Sequence, residues 1–348
     1  MSAATSLVRL VTTLLLLVAV SSPAAAAGEW ESFEPGPGTV CADGSEPAFF
    51  ERVADPQRVV LYFEGGGACW SEETCDFDSP DKAYTSSSEW VAESFDDRGG
   101  LFDFENPENP LAAHSWVYAP YCTGDLHLGD TTRTYGGLVI EHRGAVNARA
   151  ALEHLVERFP DATELVVAGV SAGSVPTPLY AALLADSFPE ARIVTLGDGS
   201  GGYPDDPVIN GLMGFLWGAI EAAPDWPETA DLDVRDWSAP GLYVVAGQHA
   251  PQVTFARFDF AFDDAQIGYV VLLGMGEDDL LSYMDGNEAD IEAAGVPIAS
   301  YTAPGDDHTL LWRDLVYEVE VDGVRLIDWI TELVEDGPPA DVHCTDCR

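Results

Sequence analysis

The sequence predicts an α/β fold in which a mostly parallel sheet is covered by helices on both faces. Short runs of apolar and β-branched residues alternate along the chain with longer segments of helical periodicity. Strands that are apolar throughout, rather than at every second residue, are typical of a parallel sheet buried on both sides. The chain has 348 residues, of which 47% are apolar, so it can bury a large core. We therefore expect a single domain of this class.

The individual elements follow from composition and spacing. Six short runs predict strands: Arg58–Phe63, Ser115–Ala119, Glu164–Val170, Ala191–Leu196, Gly241–Ala246 and Pro297–Thr302. Three longer segments predict helices: Ala145–Phe159, Pro178–Asp186 and Arg325–Val334. Two stretches interrupt the alternation. Glu73–Glu108, rich in polar and turn residues, predicts an insertion over the sheet edge, and Ser200–Trp237, with its Pro and Trp residues, predicts a lid or cap.

The chain is strongly acidic. It has 60 acidic against 15 basic side chains, a formal charge of −45, and Lys82 is its single lysine. Nucleic acids and anionic membranes are recognised by clustered Lys and Arg, so we expect neither as a partner. Depletion of lysine beside so many carboxylates favours adaptation to high salt, where repulsion is screened. The alternative is an exported protein whose charge serves solubility alone.

The N-terminus has the pattern of a secretory signal peptide. Arg9 precedes the apolar run Leu10–Val20, and the small residues Ala24–Ala27 form a cleavage site. The apolar run is too short to predict a membrane span, and no later segment approaches that length. We expect residues 1–27 to be removed and residues 28–348 to be a soluble, secreted or periplasmic monomer.

The six cysteines are consistent with export. An even number in an oxidising compartment predicts disulfides, although six cysteines allow 15 pairings. Cys344 and Cys347 form a C-x-x-C motif in a polar tail, with no second such motif to complete a zinc site. We interpret this pair as a small terminal disulfide and expect no metal.

One motif carries the chemistry. Gly169-Val-Ser-Ala-Gly173 directly follows the predicted strand Glu164–Val170, and Pro176 and Pro178 lie where the next helix would begin. This strand, turn and helix match the G-x-S-x-G nucleophile elbow of α/β-hydrolases, in which the glycines permit a tight turn that exposes the serine. Ser171 is therefore the candidate nucleophile. The alternative is a turn of small residues without chemistry.

A second glycine-rich turn follows the strand Arg58–Phe63. Three consecutive glycines come after Glu64, at the place where α/β-hydrolases have the loop whose backbone N–H groups bind an oxyanion. A simple turn explains one glycine well but three poorly.

The general base must be a histidine after Ser171 if the chain order is Ser, Asp, His. The five other histidines precede Ser171 or lie in the polar tail, which leaves His249 and His308. His308 follows the predicted strand Pro297–Thr302 on a loop suited to a base, whereas His249 lies where the acid is usual, so we prefer His308. The acid remains open among four residues: Asp198, Asp259, Asp263 and Asp264.

Together these segments resemble the pectin acetylesterase / Notum carboxylesterase family, in particular its bacterial members. The resemblance extends from Cys41 to about Leu311. The segments that carry it are Cys41–Ser45, Tyr62–Cys69, Tyr121–Asp125, the G-x-S-A-G around Ser171, Asp198–Gly201, Asp263–Gln266 and the His308 loop.

The resemblance implies roles for particular residues. The family's acid lies in a D-x-x-Q pattern, which corresponds to Asp263 with Gln266 as its glutamine. The family's oxyanion donors correspond to Gly66, Gly67 and Ala172. The family also implies the bridges Cys41–Cys122 and Cys69–Cys75, and it implies no metal or organic cofactor.

Three positions depart from the plant members. Ala68 replaces a tryptophan, Ser174 replaces the second glycine after the nucleophile, and Thr309 replaces a cysteine after the histidine. These changes leave the expected triad intact but alter the surroundings of the substrate.

We therefore expect a secreted serine carboxylesterase that removes O-acetyl groups from a polysaccharide through an acyl-enzyme. One alternative is a lipid or acyl-protein esterase with a longer acyl pocket. The other is a non-catalytic relative that binds carbohydrate or lipid.

Overall fold

The structure, a computed structural model, describes residues 28–76, 78–79, 83–84, 95, 98–276 and 280–347. The expected signal peptide at 1–27 and most of residues 77–97, including Lys82, lie outside the described residues. Within the described ranges, no helix has both the length and the apolar character needed to cross a bilayer.

Thirteen strands occur in the described part of the chain. They are β1 (Glu31–Phe33), β2 (Phe49–Arg52), β3 (Asp55–Phe63), β4 (His114–Ala119), β5 (Thr131–Tyr135), β6 (Leu138–His142), β7 (Glu164–Val170), β8 (Arg192–Asp198), β9 (Phe255–Phe260), β10 (Ile298–Ala303), β11 (Glu320–Val321), β12 (Val324–Arg325) and β13 (Val342–His343). Nine of them form one sheet in the order β1-β2-β4-β3-β7-β8-β9-β10-β13. From β4 to β13 all neighbours are parallel, whereas β2 is antiparallel to both of its neighbours, β1 and β4.

The described helices connect these strands. They are α1 (Glu72–Cys75), α2 (Gly144–Arg158), α3 (Thr177–Ser187), α4 (Pro207–Asn210), α5 (Ala239–His249), α6 (Asp264–Leu272), α7 (Leu280–Ala293) and α8 (Leu326–Glu335). Short 3₁₀ helices lie at Gly100–Phe102, Ser171–Gly173, Val234–Asp236 and Asp314–Tyr317, and a π-helix lies at Gly211–Leu216.

Alternate residues of the central strands enter two separate hydrophobic cores. In β3, Val59, Leu61 and Phe63 pack on one face with residues of α2, α3 and α5. Val60 and Tyr62 pack on the other face with residues of α8. The period of two along a strand produces this division, and it explains why β3 is apolar at every one of these positions. The structure confirms the α/β class and the helix-covered parallel sheet.

One predicted strand is wrong. Gly241–Ala246 belongs to helix α5, where the Ser238 side chain accepts a hydrogen bond from the Gly241 N–H and Pro240 lies in the first turn. A short apolar run does not distinguish a buried strand from a buried helix, whereas a serine cap followed by proline indicates a helix start. The other five predicted strands and all three predicted helices are confirmed, with ends that differ by up to three residues.

The strand that lies between β8 and β10 in the sheet is instead β9. From the sequence, this segment was expected to supply candidate acids, and no strand was predicted there. Arg257 and Asp259 interrupt its apolar pattern, although both are buried. Arg257 pairs with Glu288 at 3.2 Å, and Asp259 accepts the Gly201 N–H at 2.7 Å. These contacts from other elements allow charged residues in a central strand, and they are not visible in the local sequence.

All three expected disulfides are present. They join Cys41 to Cys122, Cys69 to Cys75, and Cys344 to Cys347. The first joins residues 81 positions apart and therefore restricts the unfolded chain the most. The second closes a short loop directly after the three glycines.

Candidate active site

Ser171 lies on a sharp turn between β7 and α3. Its φ is 52°, in the left-handed region that residues other than glycine seldom adopt. A Cβ at Gly169 would overlap the Gly173 carbonyl, and a Cβ at Gly173 would overlap the Phe63 carbonyl. Both glycines of the motif are thus required by close backbone approaches. This geometry matches the turn that the G-x-S-x-G pattern predicts, and Ser171 stays the candidate nucleophile.

The glycine loop after β3 lies directly against this elbow. A Cβ at Gly65 would lie 2.5 Å from the Val170 carbonyl oxygen and 2.8 Å from Ser171 Cβ. Gly67 has a φ of 76°, and a Cβ there would overlap the Ala83 carbonyl. The loop that contains Gly66 and Gly67 therefore brings main chain, without side chains, next to Ser171.

Glu64 holds the start of this loop. Its carboxylate pairs with Arg98 at 2.9 Å and accepts the Tyr121 N–H at 3.3 Å. Its carbonyl oxygen lies 2.8 Å from His127 Nε2. The Glu64 and Arg98 side chains are both almost fully buried, so this ion pair is shielded from solvent.

His308 and Asp263 are in direct contact. His308 Nδ1 lies 2.6 Å from Asp263 Oδ2, on the loop that follows β10. The fully buried Asp263 is also the N-cap of α6, where Oδ1 accepts the N–H groups of Ala265 and Gln266. The Gln266 side chain donates to Asp263 Oδ2 at 3.0 Å. The carboxylate therefore has a fixed orientation toward the histidine.

The other acid candidates have different partners. Asp198 Oδ2 accepts backbone N–H groups of the loop after His308, and Asp264 is exposed. Asp259 Oδ1 accepts hydrogen bonds from the Gly201 N–H and from Gln266 Nε2. Of the four candidates, Asp263 is thus the one with a hydrogen bond to the His308 ring, and it follows β9 rather than the wrongly predicted strand.

His249 lies away from Ser171, at the C-terminal end of α5. Its ring is stacked on Trp226 with centroids 3.9 Å apart, and its nitrogens contact Asp186 at 2.8 Å and Glu228 at 3.1 Å. This arrangement is a partly exposed ion-pair site.

Register places the elbow and the histidine loop at the same edge of the sheet. Val170 of β7 is paired with Asp198 of β8. A Cβ at Gly199, the next residue, would lie 3.2 Å from His308 Cε1. Ser171 and the His308 ring thus lie at the carboxyl ends of adjacent strands, where ligands bind in open α/β sheets.

Three buried carboxylates act on the titration of His308. Burial by itself lowers its pKa, but the hydrogen bond and charge of Asp263, together with the charges of Asp198 and Asp259, raise the pKa above its ordinary value. Burial raises the pKa of Asp198 to about 7 and that of Asp259 to about 6. The site therefore favours a proton on the imidazole.

An apolar pocket opens beside Ser171. Its lining comes from the glycine loop, from the turn between β7 and α3, from the start of α5, from α6, and from the segment Ser200–Trp237. The lining residues are Gly67, Ala68, Trp70, Leu126, Ser171, Ala172, Val175, Tyr203, Ile209, Leu212, Met213, Trp217, Ala239, Tyr269 and Leu273. Trp217 Nε1 donates to the Cys69 carbonyl at 2.8 Å, which ties Ser200–Trp237 to the glycine loop. Five residues of this segment line the pocket, and its role as a lid stays a prediction.

Among the described residues, two groups of potential metal ligands lie close together, and neither includes Ser171, Asp263 or His308. One is Cys69, Cys75 and His142, but its cysteines are joined in a disulfide. The other is Glu288, Asp341 and His343, where Arg257 already pairs with Glu288.

Comparison with known proteins identifies the family. The family model described as Pectinacetylesterase matches residues 33–213, which are 181 of the 348 residues. The chain belongs to the pectinacetylesterase family. The match includes the glycine loop and Ser171 but ends before Asp263 and His308, so the placement of these two residues in the site rests on the geometry described above.

Individual relatives of this pectinacetylesterase-family chain carry different names. Palmitoleoyl-protein carboxylesterase notum2 of Xenopus laevis is 31% identical over 142 residues, which cover 38% of this chain and 27% of the relative. Inactive palmitoleoyl-protein carboxylesterase notum1b of Danio rerio is 31% identical over 31% of this chain and 76% of the relative. Pectin acetylesterase 11 of Arabidopsis thaliana is 26% identical over 46% of this chain and 42% of the relative. The chain thus spans about a quarter of the Xenopus protein and less than half of the Arabidopsis protein.

Two side chains that support this pectinacetylesterase-family site were missed by reasoning from the sequence. Arg98, the ion-pair partner of Glu64, lies 34 residues further along the chain, and its role had no local signal. Asp198 was a candidate only for the acid, whereas it binds the backbone of the histidine loop. The sequence signal for such a role was the position of Asp198 at the end of strand β8, between Gly197 and Gly199.

Proposed function

We propose that this chain is a secreted serine carboxylesterase of one α/β-hydrolase-like domain over residues 28–348. The observation that carries the proposal is that Ser171 lies at the end of β7 while the His308 ring, held by Asp263, lies at the end of the neighbouring strand β8. A half-buried serine on a strained turn beside a pocket, together with an imidazole oriented by a buried carboxylate, is the arrangement that acyl transfer requires. The three disulfides support an oxidising compartment.

In the proposed reaction Ser171 Oγ attacks the ester carbonyl while His308 takes its proton. Asp263 holds the proton on His308 Nδ1, which leaves Nε2 free to act as the base, and it stabilises the imidazolium that forms. His308 then returns the proton to the leaving alcohol. Water, activated by the same imidazole, hydrolyses the acyl-enzyme and restores Ser171.

The backbone N–H groups of Gly66, Gly67 and Ala172 are the proposed donors to the tetrahedral oxyanion. The close approach of the glycine loop to Ser171 supports this role, since side chains at Gly65 or Gly67 would collide with neighbouring main chain. Such preorganised donors commonly account for a factor of about 10² to 10³ each in kcat.

The size of the pocket supports a short acyl group. Its cavity volume is about 50 Å³. One water needs about 10–15 Å³ of such space, so the pocket holds roughly three to five water-sized groups. An acetyl group fits within this volume.

We infer that the substrate is an O-acetylated polysaccharide, by analogy with the relative named pectin acetylesterase. The charge of −45 opposes a densely anionic polymer at low salt, so a neutral glycan, or an acidic one in high salt, is the better substrate.

The test is hydrolysis of p-nitrophenyl esters of graded chain length, with Ser171→Ala as the control. We expect Ser171-dependent turnover that is highest with acetate and falls as the chain lengthens. A long-chain optimum would support an acyl-protein or lipid esterase, as in the relatives named palmitoleoyl-protein carboxylesterases. No turnover of any ester would support a non-catalytic protein, and the relative named inactive shows that such members exist.

A further inference from the structure

Asp198 binds the loop that carries His308. It is the last residue of β8 and is fully buried. Its Oδ2 accepts the Leu310 N–H at 2.6 Å and the Leu311 N–H at 3.0 Å. These two amides follow His308 by only two and three residues, so one carboxylate oxygen fixes the main chain beside the imidazole.

The backbone between His308 and these amides has an unfavourable conformation. Thr309 has a φ of 56°, which is costly for a β-branched residue and persists only when its surroundings enforce it. Residue 199 contacts the same segment, since a Cβ at Gly199 would lie 2.9 Å from Thr309 Cγ2 and 3.2 Å from His308 Cε1. The end of β8 therefore contacts the loop on both sides of the strained residue.

We propose that Asp198 is a positioning residue for the base: by binding the Leu310 and Leu311 amides, it holds His308 where the imidazole contacts Asp263 and lies at the end of β8, the strand next to the one that precedes Ser171. This inference rests on the proposed esterase function. It assigns Asp198 a role separate from the acid, because its contacts are to the loop backbone, whereas Asp263 contacts the ring.

Asp198 also acts on the histidine through its charge. Its Oδ1 is buried and has no hydrogen-bond partner in the described part of the chain, so that oxygen is not neutralised by a donor there. The other charged groups around His308 are Asp263 from α6, Asp259 from β9, and the Asp307–Arg313 ion pair of its own loop. Because burial raises the pKa of Asp198 to about 7, its charge is present mainly above that pH, and there the loss of this charge destabilises the imidazolium form.

Two variants separate the anchoring from the charge. Asp198→Asn keeps a carbonyl oxygen that can accept both amides, but it removes the charge. Asp198→Ala removes both. We expect Asp198→Ala to lose about 10²-fold in kcat for p-nitrophenyl acetate with a much smaller change in KM, the size of effect that a misplacement of about 1 Å produces. Asp198→Asn should lose less than about tenfold in kcat, and the acid limb of its kcat/KM profile should move to lower pH.

A measurement that does not depend on activity completes the test. NMR of the imidazole follows the hydrogen-bonded Nδ1 proton and the titration of His308 in the wild type, both Asp198 variants and the exposed control Asp264→Asn. We expect the Asp198→Ala variant to lose or shift the Nδ1 signal, and Asp264→Asn to keep it. An unchanged signal and kcat in Asp198→Ala would overturn the proposal. So would a lower melting temperature without any change at His308, which is what a merely structural role would produce.

The two proposals fail in distinguishable ways. If Asp198→Ala does not fold, Asp198→Ser decides, because its shorter side chain cannot accept both amides, and an unchanged Nδ1 signal with an unchanged kcat in that variant overturns the positioning role. If the wild type hydrolyses no ester, the proposed function fails. The NMR comparison still tests whether Asp198 places the imidazole.

Discussion

Asp263 caps helix α6 with one carboxylate oxygen and contacts His308 with the other. Oδ1 accepts the first amides of α6, and Oδ2 lies 2.6 Å from His308 Nδ1, 45 residues away in the chain. The hydrogen bonds at the start of α6 thus fix the plane of the Asp263 carboxylate, and this carboxylate in turn fixes the orientation of the His308 imidazole. Gln266 strengthens this link, since its side chain bonds both Asp263 and Asp259.

Asp263→Asn should leave the fold intact and reduce kcat by about 10⁴, the value known for the same change in a serine protease. The amide can still cap α6 through its oxygen, but its NH₂ group then faces Nδ1 and favours the wrong tautomer. Steady-state kinetics and circular dichroism check this. Asp264→Asn is the matched control because that neighbouring side chain is exposed, and it should retain activity. Near-normal kcat in Asp263→Asn would assign the acid elsewhere.

The pH dependence of the wild type should reflect the raised pKa of His308. The neutral imidazole is the active base, so kcat/KM should fall as the pH decreases through a value above 6.5. In Asp263→Asn the residual activity should have its acid limb at lower pH, since the hydrogen bond and charge that favour the imidazolium are lost. A wild-type acid limb below 6.5 would contradict the raised pKa.

Ser171→Ala should abolish turnover while the protein stays folded. A serine-directed organophosphonate should label the wild type at Ser171, as peptide mass spectrometry would show, and should not label the variant. Ser174, three residues away, is buried, so it should stay unlabelled and serves as an internal control. A label on any other serine, or activity in Ser171→Ala, would exclude the proposed mechanism.

Met213→Ala should shift the preferred acyl chain toward longer esters. Met213 is fully buried in the pocket lining, and shortening it enlarges the space beside Ser171. Met284→Ala is the matched control, because Met284 is equally buried but does not line the pocket. Both changes should lower the free energy of unfolding by about 2–5 kcal/mol. The same chain-length profile in both variants would show that this pocket does not hold the acyl group.

The melting temperature should rise markedly between low and molar NaCl. With a formal charge of −45, repulsion between carboxylates opposes folding, and the screening length falls from about 30 Å at 0.01 M to about 3 Å at 1 M salt. Differential scanning calorimetry across a salt series measures this, with a neutral osmolyte as the control. A flat or falling response would favour the solubility interpretation of the acidic surface.

Much of the fold was predictable because its signals are local. Strand β7 and the G-x-S-x-G turn follow from adjacent residues, as does the helix that begins near Pro178. Strand β9 was not predictable in this way. Its Arg257 and Asp259 are tolerated only because Glu288 and the Gly201 amide bind them, and neither partner is near in sequence. The apolar segment Gly241–Ala246 of α5 was predicted to be a strand because composition alone does not distinguish a buried helix from a buried strand.

By itself the sequence determined the class of the fold, the serine turn, the glycine loop and a short set of candidate bases and acids. These depend on residue type and on spacing over a few positions. The tertiary structure decided which acid contacts which base, because Asp198, Asp259 and Asp263 differ in the strand ends and amides that they face, not in their chemistry. It also decided that Asp198 supports the histidine loop, since the order β8-β9-β10 in the sheet brings Asp198 and Leu310, 112 positions apart, into contact.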